Sequence, residues 1–144
     1  MTNEEYGRYV DALAPRSKTG KNLLNAFWVG GLICAIGQAL LNGYQALGLD
    51  ETTAGAAVSI SLVLLSAILT GFAVYDDIAK FAGAGTLVPI TGFANAVVSA
   101  AIEFKTEGRV LGTGAKMFTI AGPVIVYGTL AAVLYGGVLW LLGG

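Results

Sequence analysis

The sequence predicts an all-α integral membrane protein with three transmembrane helices plus one re-entrant broken-helix element, four transmembrane helices being the alternative. Three observations predict it. Charged residues are 12% of the 144 and hydrophobic ones 56%, against roughly 25% charged in an ordinary soluble domain. The charges cluster and leave four uncharged runs, Asn22 to Leu49 (28 residues), Thr52 to Tyr75 (24), Phe81 to Ile102 (22) and Met117 to Gly144 (28). Each reaches the roughly 20 residues that cross a hydrocarbon core about 30 Å thick. The third run is interrupted by Gly83, Gly85, Pro89 and Gly92, and glycine and proline in such density disfavour one smooth helix.

The expected organisation is a cytoplasmic tail over 1–22 and one transmembrane domain over 23–144, with spans at about 23–47, 53–75 and 117–142 and the re-entrant element at 81–107. Too few residues lie outside the runs to build a soluble domain. A net charge of -1 argues against nucleic acid as a partner. There is no His, and the single Cys, Cys34, lies inside the first run, which excludes a Cys/His metal site or a His-based triad within this chain. No cofactor, no metal and no enzyme activity are expected. An intramembrane aspartyl protease needs two opposed acids, and Tyr75-Asp76 supplies one without a matching second motif.

The tail places Tyr6, Val10 and Leu13 on one helical face with Glu4, Glu5, Arg8 and Asp11 elsewhere. That pattern fits an interfacial amphipathic helix or a solvated tail. Pro15 ends it, and Arg16, Lys18 and Lys21 flank a first span that reads as uncleaved, because its apolar run exceeds the about 7 to 15 residues of a signal core.

The first span sets Gln38, Asn42 and Gln45 on one face. Burying an unpaired amide in hydrocarbon costs roughly 4 to 8 kcal/mol on the cyclohexane scale, so this face meets another helix or an aqueous path. The second span aligns Ser59, Ser66 and Thr70, a weaker signal of the same kind. The last carries Gly128, Ala132 and Gly136 at four-residue spacing, a small-xxx-small ridge whose ordinary meaning is close helix packing.

Loop charges choose between the two architectures. If 81–102 crosses the membrane, the inside holds Arg8, Arg16, Lys18, Lys21 and Lys80 while Lys105, Arg109 and Lys116 fall outside; if it dips and returns, all eight bases lie inside. The second arrangement obeys the positive-inside rule without exception and is the one expected, with the N-terminus cytoplasmic and Pro89 to Gly92 deepest. A helix of about sixteen residues from Thr91 to Glu107, with Thr91 as N-cap, spans only about 24 Å, too short for a full crossing. Its N-terminus within the membrane suits an anion such as a carboxylate. Gly83, Gly85, Thr86, Pro89, Thr91, Gly92, Asn95 and Ser99, with Gln38 and Asn42 from the first span, are the candidate pathway. The alternative is a capped helix wedged against its neighbours, its polar strip bonded to Gln38 or Asn42. Asp76, Asp77 and Lys80 stand before the break either as solvated topology markers or as a gate at a pore mouth.

The segments FWVGGLICAIGQALLN (27–42), LLSAILTGFAVYDDIAKFAGAGTLVPITGFANAVVSAAIEFKTEGRVLG (64–112) and KMFTIAGPVIVYG (116–128) resemble the SpoVA family of sporulation membrane proteins, its AC form more than its AE form. The resemblance covers most of the chain beyond the tail. It implies a multi-pass subunit in the inner membrane of the forespore and spore, a channel or channel subunit that moves dipicolinic acid with calcium during spore formation and germination and responds to membrane tension. It further implies other SpoVA-family subunits and an oligomer as partners, with the bilayer around them. No catalytic residues are carried over. The other reading is a non-conducting structural subunit of the same sporulation complex.

Overall fold

The computed structural model describes residues 2–13, 18–87 and 89–143. Pro15, Arg16 and the side chain of Asp11 lie outside the described residues. Among them the chain is helical throughout: α1 (Asn3–Leu13), α2 (Thr19–Ala46), α3 (Glu51–Gly71), α4 (Val74–Ala82), α5 (Ala84–Leu87), α6 (Ile90–Glu103) and α7 (Ala115–Leu141), with a 3-10 turn at Phe104–Glu107 and a π turn at Arg109–Gly114 between the last two. Among the described residues three helices are long and apolar enough to cross a membrane: α2, α3 and α7 with the turn that leads into it. The third uncharged run supplies no such helix. Its longest piece is α6, of 14 residues, about 21 Å at 1.5 Å per residue.

Asp50 starts α3 in an extended conformation and accepts hydrogen bonds from the Thr53 backbone N–H (3.0 Å) and hydroxyl (2.6 Å). A short turn therefore reverses the chain, and α3 packs back against α2. Leu62 reaches Gly37 across that seam, and the Tyr44 hydroxyl lies 2.7 Å from Ser61 Oγ.

The second span ends at Gly71, four residues before the expected limit at 75, because Ala73 turns the chain in the left-handed region at φ 58°. Tyr75 and the charges after it thus belong to α4, a separate helix that leads from the end of α3 to α2. There the Asn25 amide donates to the Phe81 carbonyl at 3.1 Å. Past Gly83 (φ 53°), α5 lies along α2, and its Gly85 fits only because it has no side chain: a Cβ there would stand 2.8 Å from Ala26 Cα. Pro89 then sends the chain back as α6 beside α3.

Thr91 lies inside the first turn of α6 rather than at its cap, a position held by Pro89. The helix closes at Glu103, tightening into the 3-10 turn over the residues expected to continue it. Gly112 of the π turn then packs against that corner, 2.8 Å from Glu107 Cβ were a Cβ added. Lys116 lies over the Phe104 ring, 4.3 Å from its centroid, which ties the start of α7 to the end of α6. Pro123 sits within α7 without breaking it.

Candidate functional site

The core is small and it gathers at the break. Ala54, Leu62, Tyr75, Ala82, Ala94 and Ala100 are its buried apolar residues, and Ser66, Thr70, Thr86 and Thr91 are buried with them. Five hydroxyl groups in so small a core, that of Tyr75 included, need partners in the chain, since an unpaired one costs about 1–3 kcal/mol in a protein interior.

They find them in one network. Ser66 Oγ donates to the Thr91 carbonyl at 2.6 Å. Thr70 Oγ1 shares its single proton between the Ser66 carbonyl (2.7 Å) and Asn95 Oδ1 (2.8 Å). The Tyr75 hydroxyl donates to Thr91 Oγ1 (3.0 Å) and approaches the Thr86 carbonyl (3.3 Å), while Thr86 Oγ1 donates to the Gly83 carbonyl at 3.1 Å. No buried side-chain nitrogen or oxygen among the described residues is left without a partner.

The geometry has a direction. Residues 66 and 70 of α3 face residues 91 and 95 of α6 in the same order, so the two helices run parallel. A chain that leaves α3 and returns parallel to it has first been carried back through α4 and α5. Glycine permits the tight joint, because a Cβ on Gly92 would meet the Thr86 carbonyl and lie 2.9 Å from that of Leu87.

Of the residues expected from sequence, Gly83, Gly85, Thr86, Pro89, Thr91, Gly92 and Asn95 are brought together here. Ser99 is half-buried two turns beyond Thr91 on α6. Gln38 and Asn42 are not part of the cluster. They are exposed on α2, and Gln38 Nε2 donates to Asn42 Oδ1 at 2.9 Å. The polar strip of α6 thus bonds to α3, not to these amides. Asp76, Asp77 and Lys80 are exposed on α4, and Lys80 pairs with Asp77 at 3.0 Å, a hydrogen bond that raises the lysine's pKa. Gly128 and Gly136 have open space where a side chain would be, and the helix around them is exposed from Val124 to Leu142.

Ser66, Thr70 and Tyr75 supply half of the network, although Ser66 and Thr70 are only a weak signal in the sequence and Tyr75 is none. Spacing alone could not single them out, since Ser66 and Thr70 stand four apart on α3 as Thr91 and Asn95 do on α6, but so do Gln38 and Asn42 on α2.

Three long apolar helices and a doubled-back helical insertion define a polytopic α-helical membrane protein. The chain belongs to the SpoVAC/SpoVAEB sporulation membrane protein family, whose model matches residues 22–138. It is similar to stage V sporulation protein AC of Bacillus subtilis (strain 168), at 51% identity over 139 residues covering 94% of this chain and 93% of that protein. No solved structure matches it.

Proposed function

We propose that the protein is a channel or channel subunit for dipicolinate, moved with calcium, in the inner membrane of the forespore and spore, opening under membrane tension. The element that controls passage is the insertion over 81–107, re-entrant from the cytoplasmic side where the N-terminus also lies. The parallel course of α3 and α6 carries this reading. In a four-span protein, consecutive spans alternate in direction, whereas a dip returns its second limb parallel to the span before it. The dip reaches Pro89, which lines one cavity with Gly30 and Cys34. From Asn25, which meets Phe81, α2 climbs about 13 Å to Cys34, close to half of a core about 30 Å thick.

Non-helical backbone at that depth is tolerated where protein buries it or a polar cavity meets it. Thr86, Thr91 and Asn95 gather hydroxyl and amide groups there, and the first turn of α6 directs backbone N–H groups towards the same point, which suits a dicarboxylate. Asp76, Asp77 and Lys80 stand at the mouth. Three spans and a dip do not enclose a pore, so an oligomer or other SpoVA-family subunits complete it.

Measurement of dipicolinate flux and conductance in liposomes under applied tension tests this reading. Wild-type protein conducts, alone or with its partner subunits, and Asn95→Leu and Pro89→Ala alter conductance at equal protein density. No conductance from wild type with partners present overturns it. One observation favours the non-conducting structural subunit instead, namely that the polar groups of the break satisfy one another within the chain. Introduced cysteines at 95 and 99 that never react with water-soluble thiol reagents decide for that alternative.

A further inference from the structure

Two cavities on one side of α2 run into each other. The first, of about 350 Å3, lies between Thr19, Asn22 and Ala26 of α2 and Lys80, Phe81 and Ala84. The second, of about 340 Å3, lies between Ala26, Gly30, Gly31 and Cys34 and the pair Ala84 and Pro89. Ala26 and Ala84 line both, so the two form one groove along α2. Close backbone contact makes its floor, since a Cβ on Gly30 would stand 3.3 Å from the Gly85 carbonyl oxygen.

Polarity changes along the groove. At one end stand the Lys80 ammonium, the Asn22 amide and the Thr19 hydroxyl; at the other, Gly30, Gly31, Cys34 and Pro89 offer an apolar surface. The groove offers donors at one end and apolar surface at the other, which suits an amphiphile. Length agrees. From Asn22 to Cys34 α2 rises about 18 Å, and one leaflet contributes about 15 Å of a hydrocarbon core about 30 Å thick.

Charge selects the head group. The Lys80 ammonium has three donors, of which Asp77 takes one. Lys18, just before α2, and Lys21, on its first turn, are exposed at the same level of the helix without lining the groove, so three cations stand near this end with Asp76 and Asp77. We propose that the groove binds one anionic phospholipid of the surrounding leaflet, its phosphate at Asn22 and Lys80 and one acyl chain along Gly30, Gly31 and Cys34. This inference holds whether or not solute crosses the protein.

The test uses full-length protein in nanodiscs of phosphatidylcholine and phosphatidylglycerol, with retained lipid identified by native mass spectrometry. Its second arm maps the crosslinks of a phosphatidylglycerol carrying a photoreactive acyl chain. Phosphatidylglycerol is expected to be retained severalfold over phosphatidylcholine, with crosslinks at 30–34 and 84–89. Lys80→Gln loses that preference and Lys80→Arg keeps it. Gly31→Leu, placed where an added side chain meets open space, removes the crosslinks at 30–34 while the circular dichroism spectrum stays that of wild type. Equal crosslinking along α2 and α7, or unchanged preference in Lys80→Gln, overturns the proposal. So does displacement of the head group by inorganic phosphate without any acyl crosslinking at 30–34, which assigns the polar end to a soluble anion.

Discussion

Ser66 donates its hydroxyl to the backbone carbonyl of Thr91 at a distance of 2.6 Å, joining the second long helix to the first turn of the returning one. Ser66 is 1% exposed, so nothing replaces the bond when it is lost. Ser66→Ala is expected to destabilise the protein by about 1 kcal/mol, the usual range for such bonds in a bilayer being about 0.6 to 2 kcal/mol. Ser59→Ala, which removes only a bond to its own helix at Gly55, serves as the near-neutral control. Reversible unfolding in mixed micelles measures both.

The parallel course of α3 and α6 makes a topological prediction. In a Cys34→Ala background, cysteines at 81 and 105 react with an impermeant thiol reagent from the same side of the membrane. Labelling from opposite sides would mean that the run crosses.

Gly85 tests the closeness of α5 to α2. Gly85→Ala forces a methyl group into the backbone of Ala26, where an ideal Cβ comes within 3.0 Å of its carbonyl carbon. Overpacking of this kind costs about 1–3 kcal/mol. Gly31→Ala, with no neighbour near its Cβ, is expected to change stability by less than about 0.5 kcal/mol. The difference in thermal midpoint between these two variants reads the contact directly.

Asp50 makes stability depend on pH. Its side-chain bond from Thr53 Oγ1, with the backbone bond beside it, lowers the carboxyl pKa below the ordinary 3.8. A carboxyl whose folded pKa is depressed contributes stability above its unfolded pKa and loses it as pH falls through the folded one. Wild type should therefore lose stability relative to Asp50→Asn below about pH 4, and the gap between them should be constant from pH 5 to 8. A gap that widened only above pH 8 would contradict this assignment.

The glycine ridge of α7 separates folding from association. Gly128→Leu meets no neighbour within the chain, so the monomer should fold as wild type does. If Gly128, Ala132 and Gly136 face another subunit, the same variant lowers association in the bilayer, read by single-molecule photobleaching.

Much of this fold is legible in the sequence, for definite reasons. The long helices follow from uncharged runs, and α2 and α7 lie over the first and the last of them. The interruption follows from Gly83, Gly85, Pro89 and Gly92, whose backbones do what such residues permit. What could not be read was which helix receives α6. The amides of α2 are the stronger signal in the sequence, because an unpaired amide is costly in hydrocarbon whereas serines in such helices are often mere packing. Gln38 and Asn42 have the same four-residue spacing as Ser66 and Thr70, so the contact is decided by the packing of α6 against α3, where Ser66 and Thr70 meet Thr91 and Asn95. Nor does any residue announce the turn at Ala73, since alanine rarely takes a positive φ and nothing in its neighbours' identity requires it there.

The insertion has a consequence for the membrane itself. At the end where α2 hands over to α3, only the long helices are present; at the other, α4, α5, α6 and the two turns before α7 crowd in beside them. The packing is lopsided along the axes of the long helices, so a bilayer that held those three helices would meet a broader section of protein at the end that carries the short ones.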